Sequence, residues 1–114
     1  MVKFIEIPFE YTALHFWNDA PKEYEWLKSP HAHNFKSTIT LEVTQVNREL
    51  SFEEVKDWLS TNVIPRFQSS VTEMSCEMMA DWIMLRAIEK YRRFVQVRVS
   101  EDGGPAAIVS GDRL

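Results

Sequence analysis

The three histidines of the chain are its clearest candidates for chemistry. His31 and His33 are separated by one residue, so a strand that begins there directs both side chains to one face of a sheet. His15 lies at the end of an earlier predicted strand, which can pair beside the later one and bring a third imidazole alongside. Three neutral imidazoles with an open fourth position form the ligand set of a catalytic zinc ion. The spacing therefore favours a zinc site on His15, His31 and His33.

A packing role for these residues remains open at this point. A single His-x-His pattern also occurs in strands that bind no metal, where the rings fill space or make hydrogen bonds. What favours a metal is that every histidine falls on two neighbouring predicted strands and none lies elsewhere in the sequence.

The composition is that of one small acidic domain. The 114 residues are 45% hydrophobic and 26% charged, which suits a single globular domain over residues 1–114. A net charge of −4 argues against a general nucleic-acid binder. The single cysteine excludes an internal disulfide framework, so we expect a reducing compartment, the cytoplasm. The first residues contain no long apolar run, and we expect neither a signal peptide nor a membrane span.

The hydrophobic pattern predicts an α+β fold with the order strand, strand, helix, helix, strand, strand. We expect an irregular strand near residues 2–9, a loop over 18–30 and a half-buried strand from Phe35 to Val43. A capping box at Ser51 predicts a helix to about Ser60, and a loop over 61–72 follows. The last predicted elements are a helix from about Ser75 to Tyr91, a strand over 95–99 and a short strand ending at Val109.

The predicted sheet has exposed surfaces that suggest association. Four antiparallel strands with both helices on one face leave the other face and two edges uncovered. Because such a sheet is usually protected by other subunits, we expect a homo-oligomer.

Five segments of the chain together resemble the family of 6-pyruvoyltetrahydropterin and 6-carboxytetrahydropterin synthases, including its queuosine-pathway type. In order they are Phe9-Glu10 followed by His15, His31-Ala32-His33-Asn34-Phe35, Phe52 to Lys56, Ser75 to Ile83 and Val97 to Glu101. The resemblance implies the ββααββ tunnelling fold, whose subunits close into barrels, usually hexamers, with sites at subunit interfaces. It also implies zinc on the three histidines and a reduced pterin or a related purine-derived heterocycle as the substrate.

The resemblance also suggests two substrate-binding residues. Glu101 matches a family glutamate that anchors the pterin, and a carboxylate can accept two parallel hydrogen bonds from an amino-pyrimidine edge. Its alternation with Val97 and Val99 points it inward, although a solvated loop carboxylate is the alternative. Cys76 falls in the segment that lines the pterin pocket in the family, but a small core residue is the simpler interpretation.

The chain departs from the family at the residues that transfer protons. The family has a cysteine four residues before the His-x-His pattern, where this chain has Leu27. The family also has an Asp-His pair after the first helix, but residues 61–74 contain neither Asp nor His. Some relatives supply a glutamate from the same loop, so Glu23 and Glu25 are candidate general bases. Solvated surface charges are the alternative for both.

The sequence leaves two hypotheses about function. The first is a zinc-dependent lyase of the pterin synthase type that acts on a pterin-like small molecule. The second is a non-catalytic oligomeric homologue that binds zinc, with or without a heterocycle. Neither hypothesis involves nucleic acid or a membrane.

Overall fold

The computed structural model describes residues 2–68 and 70–113. The strands are β1 (Lys3–His15), β2 (His31–Val43), β3 (Val71–Thr72), β4 (Val95–Glu101) and β5 (Ala106–Gly111). The helices are α1 (Phe52–Asn62), α2 (Ile64–Phe67) and α3 (Cys76–Tyr91), and a 3-10 helix spans Lys22–Lys28. The strands form one sheet in the order β3-β1-β2-β4-β5.

The sheet is built around an antiparallel pair of 13-residue strands. β1 and β2 pair along their whole length, from Lys3 opposite Val43 to His15 opposite His31. At about 3.4 Å per residue such a pair is roughly 44 Å long, which accounts for most of the 50 Å long axis of the molecule. β4 pairs antiparallel with β2, and β5 pairs antiparallel with β4.

The helices cover one face of this sheet. α3 packs against β4 and β5, while α1 and α2 pack against β1. The odd-numbered residues of β1, β2 and β4 point to the covered face, and those at its centre are almost completely buried: Ile7, Phe35, Ile39, Leu41, Val95 and Val97. The even-numbered residues form the opposite face, which is polar and at least partly exposed over most of its area. The predicted α+β class is therefore confirmed.

The two longer helices begin at the serine residues that the sequence predicts. In α1 the Ser51 hydroxyl accepts the Glu54 backbone N–H at 3.0 Å, and the Glu54 carboxylate accepts the Ser51 N–H at 2.8 Å. In α3 the Ser75 hydroxyl accepts the Met78 N–H at 3.2 Å. These contacts satisfy backbone donors that have no partner within the helix. No helix in the described ranges is both long and apolar enough to cross a membrane.

The structure corrects the predicted four antiparallel strands and two helices. The described residues form a mixed sheet of five strands, with three α-helices, because the segment predicted as a loop over 61–72 contains α2 and β3. α2 forms because Pro65 lies in the first helical turn, where its missing N–H breaks no hydrogen bond. Val63 and Phe67 on either side of it are fully buried. Burial of these two side chains therefore folds a segment that looks irregular in sequence.

β3 is the only parallel strand within the described part of the sheet. It pairs with the end of β1, where the Leu14 N–H donates to the Ser70 carbonyl at 3.0 Å and the Phe16 N–H to the Thr72 carbonyl at 3.1 Å. A strand of two residues has no measurable alternation, so the sequence pattern could not reveal it.

β1 is longer and more regular than the predicted strand near residues 2–9. It runs without interruption to His15, although it contains Pro8. Proline is tolerated there because β3 meets β1 only at Leu14 and His15. Most of β1, including Pro8, therefore has a partner strand on one side only. β5 also extends to Gly111, two residues beyond the predicted end. The closing of these strand edges by other subunits stays a prediction.

Candidate metal site

Four titratable side chains meet where β1 ends, β2 begins and β4 ends. In the sheet register His15 is opposite His31, and Glu101 is opposite Phe35, two residues beyond His33. All four side chains lie on the face that the helices cover. The ring centroids of the histidines are 4.5 Å apart for His15 and His31, 5.2 Å for His15 and His33, and 5.3 Å for His31 and His33. The structure therefore brings together the three histidines that the sequence singles out.

The Nδ1 atom of each histidine is held by a hydrogen-bond acceptor. The acceptors are the Met74 carbonyl for His15 at 3.2 Å, the Ser29 carbonyl for His31 at 2.9 Å and the Asp102 carboxylate for His33 at 2.6 Å. Carbonyl and carboxylate oxygens can only accept, so the proton of each neutral ring lies on Nδ1. The Nε2 lone pairs are then free to bind a cation, as is usual for metal-binding histidines.

The histidines can contribute one ligand atom each to a common ion. These three atoms lie within 4.8 Å of one another. His15 is 8% exposed, and its buried Nε2 has no hydrogen-bond partner among the described residues. A buried acceptor without a partner is unfavourable, and a bound cation would remove that cost. The donor set therefore fits a metal ion.

The protonation of His15 agrees with a role as a ligand. Burial lowers the pKa of His15 below its usual value of 6.5, and the hydrogen bond to the Met74 carbonyl opposes this effect in part. Because burial disfavours the charged ring, it favours the neutral form of His15. A histidine must be neutral to bind a metal through Nε2.

Glu101 lies against the same histidines. Its Oε2 atom is 3.1 Å from His15 Nε2 and 3.4 Å from His33 Nε2, and its side chain is 33% exposed. A partly buried carboxylate costs free energy unless a ligand or a basic neighbour lies beside it. The structure places two imidazoles beside it.

A cavity of about 620 Å³ adjoins the histidines and Glu101. Its apolar lining includes Trp17, Leu27, Met78, Pro105, Ala106 and Ala107. Acidic side chains line it as well, since Glu73 and Glu77 contribute beside Glu101. This volume and mixed lining are typical of a site for a small organic molecule.

Cys76 also lines this cavity, at the start of α3, but its thiol is poorly suited to proton transfer. Burial raises the pKa of Cys76 to about 12, and the negative charges of Glu101 and then Glu77 add to the effect. The group is therefore a neutral thiol at physiological pH. Its placement fits a contact with a bound ligand as well as it fits simple packing.

Glu23 and Glu25 are not among the residues that line the cavity. Both are exposed on the 3-10 helix of the segment that joins β1 to β2. From this segment Trp17 and Leu27 line the cavity instead, and the Trp17 N–H donates to the Leu27 carbonyl at 2.8 Å. The structure does not bring the two glutamates to the histidines, and their catalytic role stays a prediction.

Asp102 is a site residue that the sequence analysis does not identify. One carboxylate oxygen accepts from His33 Nδ1, and the other accepts the Asn34 backbone N–H at 2.8 Å. The Asp102 N–H donates to the Asn34 carbonyl at 2.9 Å, and the residue has a φ of +57°. This left-handed conformation is uncommon except in Gly, Asn and Asp. The only signal in the sequence is a second acidic residue directly after Glu101.

The fold and the histidine cluster define an α+β protein with a candidate metal site at the ends of three neighbouring strands. Comparison with solved structures shows that this fold is that of 6-pyruvoyl tetrahydropterin synthase. The Plasmodium falciparum synthase is 15% identical and has a TM-score of 0.69, with 96% of this chain and 98% of that chain covered. The Caenorhabditis elegans synthase is 12% identical and has a TM-score of 0.73, with 98% and 97% covered.

A further similar structure is a Plasmodium vivax 6-pyruvoyltetrahydropterin synthase in which a glutamate described as a catalytic residue is replaced by alanine. It is 17% identical and has a TM-score of 0.66, with 96% of this chain and 99% of that chain covered. No protein-family model matches the chain, and no curated protein matches it in sequence. At these identities the similarity shows a common fold, and at that level it confirms the resemblance found in the sequence.

Proposed function

We propose that this protein is a zinc-dependent enzyme of the pterin synthase type, acting on a reduced pterin or a related purine-derived heterocycle. The observation that carries the proposal is the convergence of His15, His31 and His33 beside a cavity in a fold shared with 6-pyruvoyl tetrahydropterin synthases. Each ring is oriented through a hydrogen bond of its Nδ1 atom.

Zinc is the metal that this donor set fits best. Three imidazoles without a thiolate are the protein ligands of several catalytic zinc sites. Zinc bound by His15, His31 and His33 would act as a Lewis acid toward an oxygen of the substrate. The carbonyls of Met74 and Ser29 and the carboxylate of Asp102 support the three rings from the other side.

Glu101 and the apolar lining of the cavity are proposed to hold the heterocycle. A carboxylate can accept two parallel hydrogen bonds from an amino-pyrimidine edge, and Glu101 is the acidic side chain nearest to the histidines inside the cavity. Trp17 offers an aromatic face on which a flat ring can stack. Cys76 lies on the same wall and would contact the ligand as a neutral thiol.

The proton-transfer group is proposed to be Glu25 or Glu23. Leu27 lines the cavity at the position of the family's cysteine and cannot transfer a proton. A glutamate is described as a catalytic residue in the Plasmodium vivax synthase. In this chain the two glutamates lie on the exposed 3-10 helix, so the assignment requires that helix to move toward the cavity when substrate binds. The backbone of Tyr24, with φ −122° and ψ 29°, is non-helical and forms a kink within this 3-10 helix.

The assembly and location of the protein belong to the same proposal. β1 and β5 have exposed edges that other subunits can cover, which supports a homo-oligomer, with a hexamer favoured. The single free cysteine supports a reducing compartment, the cytoplasm.

Metal analysis and a substrate assay together test the proposed function. Protein purified with added zinc should contain about one ion per chain, and His31→Ala should lose it while Glu77→Gln, which changes another cavity residue, should retain it. The zinc protein should then convert dihydroneopterin triphosphate. The double variant Glu23→Gln/Glu25→Gln should lower the rate of conversion more than it weakens binding of this substrate. Absence of zinc from the wild-type protein contradicts the proposal. Binding of the pterin without conversion supports the non-catalytic homologue instead.

A further inference from the structure

The centre of the site brings ring nitrogens of three histidines together with the carboxylate of Glu101. The Nδ1 atoms of His15, His31 and His33 carry the ring protons, because each faces an oxygen that can only accept. In a neutral ring of this tautomer, the Nε2 atom presents its lone pair. The Oε2 atom of Glu101 is 3.1 Å from His15 Nε2 and 3.4 Å from His33 Nε2. A cation bound between these atoms would neutralise the carboxylate and give the buried Nε2 atom of His15 a partner.

The spacing of these atoms suits a shared ion. Two ligands of one tetrahedral zinc ion, each about 2.0–2.1 Å from it, are about 3.3–3.4 Å apart. The contacts of Glu101 Oε2 with His15 Nε2 and His33 Nε2, at 3.1 and 3.4 Å, have nearly this length. Of these two ring nitrogens, His15 Nε2 is the nearer to Glu101. It is buried and has no hydrogen-bond partner among the described residues.

The other acidic residues of the cavity do not share this arrangement. Glu73 and Glu77 line the same cavity, but in the described part of the chain neither forms an ion pair with an imidazole. Asp102 binds His33 through Nδ1, the ring nitrogen that does not contact Glu101. Glu101 is therefore the carboxylate positioned to complete the ligand set.

We propose that Glu101 is a fourth metal ligand in the substrate-free protein and closes the coordination position that the three histidines leave open. This inference rests on the metal site of the proposed function. It adds that Glu101, which is proposed to hold the heterocycle, binds the metal until the heterocycle arrives. Binding of the heterocycle by Glu101 and opening of the metal to substrate are then a single event.

Cobalt substitution tests this assignment, because Co²⁺ reports its ligands through visible absorption. Azide is the probe for an open position on the metal. The Co²⁺ form of the wild-type protein should show a four-coordinate spectrum that millimolar azide leaves unchanged. Glu101→Ala should bind azide at least about ten-fold more tightly and should bind Co²⁺ at least about ten-fold more weakly. Glu77→Gln, in the same cavity, should behave as the wild type in both measurements.

Glu101→Gln provides a second variant of nearly the same volume, should the alanine variant fold poorly. It should show the same changes in azide and Co²⁺ binding as Glu101→Ala, with a metal-free melting temperature equal to that of the wild type. If the wild-type Co²⁺ protein binds azide as tightly as the Glu101 variants, Glu101 is not a ligand and this inference is wrong. If the wild-type protein binds neither Zn²⁺ nor Co²⁺, the metal site of the proposed function fails as well.

Discussion

His33 Nδ1 lies 2.6 Å from Asp102 Oδ2, the shortest of the hydrogen bonds that orient the three imidazoles. This contact joins the first residues of β2 to the turn that follows β4. Because the second oxygen of Asp102 accepts the Asn34 N–H, the carboxylate is fixed against the same strand that it orients. A carboxylate behind a metal-binding histidine holds the ring in place and increases its basicity.

Replacement of Asp102 should therefore weaken metal binding without unfolding the protein. Asp102→Asn keeps an oxygen that can accept from the Asn34 N–H, and asparagine tolerates the positive φ of this position. It removes the charge behind His33. We expect the affinity for Zn²⁺ to fall about ten-fold, measured by competition with a chromophoric chelator.

Asp81→Asn is the control for this prediction, since Asp81 is exposed on α3 and does not line the cavity. It should leave the affinity for Zn²⁺ unchanged, and the metal-free melting temperatures of both variants should match the wild type. Equal Zn²⁺ affinity for Asp102→Asn and the wild type would show that the contact with His33 does not support the metal site.

The carboxylate of Glu49 should make stability depend on pH in the acid range. The hydroxyl of Thr44 holds the pKa of Glu49 down at about 2 rather than the usual 4.5, with help from backbone N–H groups of Thr44 and Gln45 and from Arg93. A depressed pKa means that its stabilising contribution is complete above pH 4.5 and is lost as the pH falls toward 2. Urea unfolding from pH 7 to pH 2 should show this loss.

Glu49→Gln should remove that part of the pH dependence and lower stability at pH 7. Glu53→Gln is the matched control, because Glu53 is exposed and its ion pair is a surface contact with Lys56, one helical turn away. The control should retain the wild-type pH profile. An unchanged profile in Glu49→Gln would indicate that other carboxylates produce the acid sensitivity.

The thiol of Cys76 should react very slowly in the folded protein. Burial raises its pKa to about 12, so at pH 8 the thiolate fraction is on the order of a thousand-fold below that of a free cysteine. Alkylation by iodoacetamide, followed by mass spectrometry, should be slow in buffer and fast in urea. Because Cys76 is the only cysteine in the sequence, the unfolded chain is its own control. A folded-state rate within ten-fold of the unfolded rate would mean that the thiol is accessible and ionisable.

Phe67 should be a major contributor to the stability of the core. Its side chain is fully buried, and its ring lies 5.0 Å from the Tyr11 ring and 5.4 Å from the Trp82 ring. Phe67→Ala should lower the free energy of unfolding by about 3–5 kcal/mol, measured by urea denaturation. Phe52→Ala changes a phenylalanine that is 56% exposed, and it should cost less than about 1 kcal/mol. Similar losses for the two variants would show that α2 is not anchored by Phe67.

Local patterns in the sequence were sufficient for the elements that repeat or carry a cap. The alternation of β2 and β4, the capping box at Ser51 and the start of α3 at Ser75 all occur where they are predicted. They could be predicted because each depends on residues only two to four positions apart. The same alternation places His31, His33 and Glu101 on one face of the sheet.

Only the tertiary structure decided the contacts between distant segments. α2 and β3 fold because Phe67 enters the core and the end of β1 offers a partner, and neither cause is visible within the segment itself. His33 and Asp102 are 69 positions apart, and the register of β2 with β4 makes them neighbours. The sequence by itself determined which residues can bind a metal, since donor type and alternation are local properties. Which atoms face the site and which carboxylate supports which ring depend on strand pairing, and pairing is determined only when the whole sheet assembles.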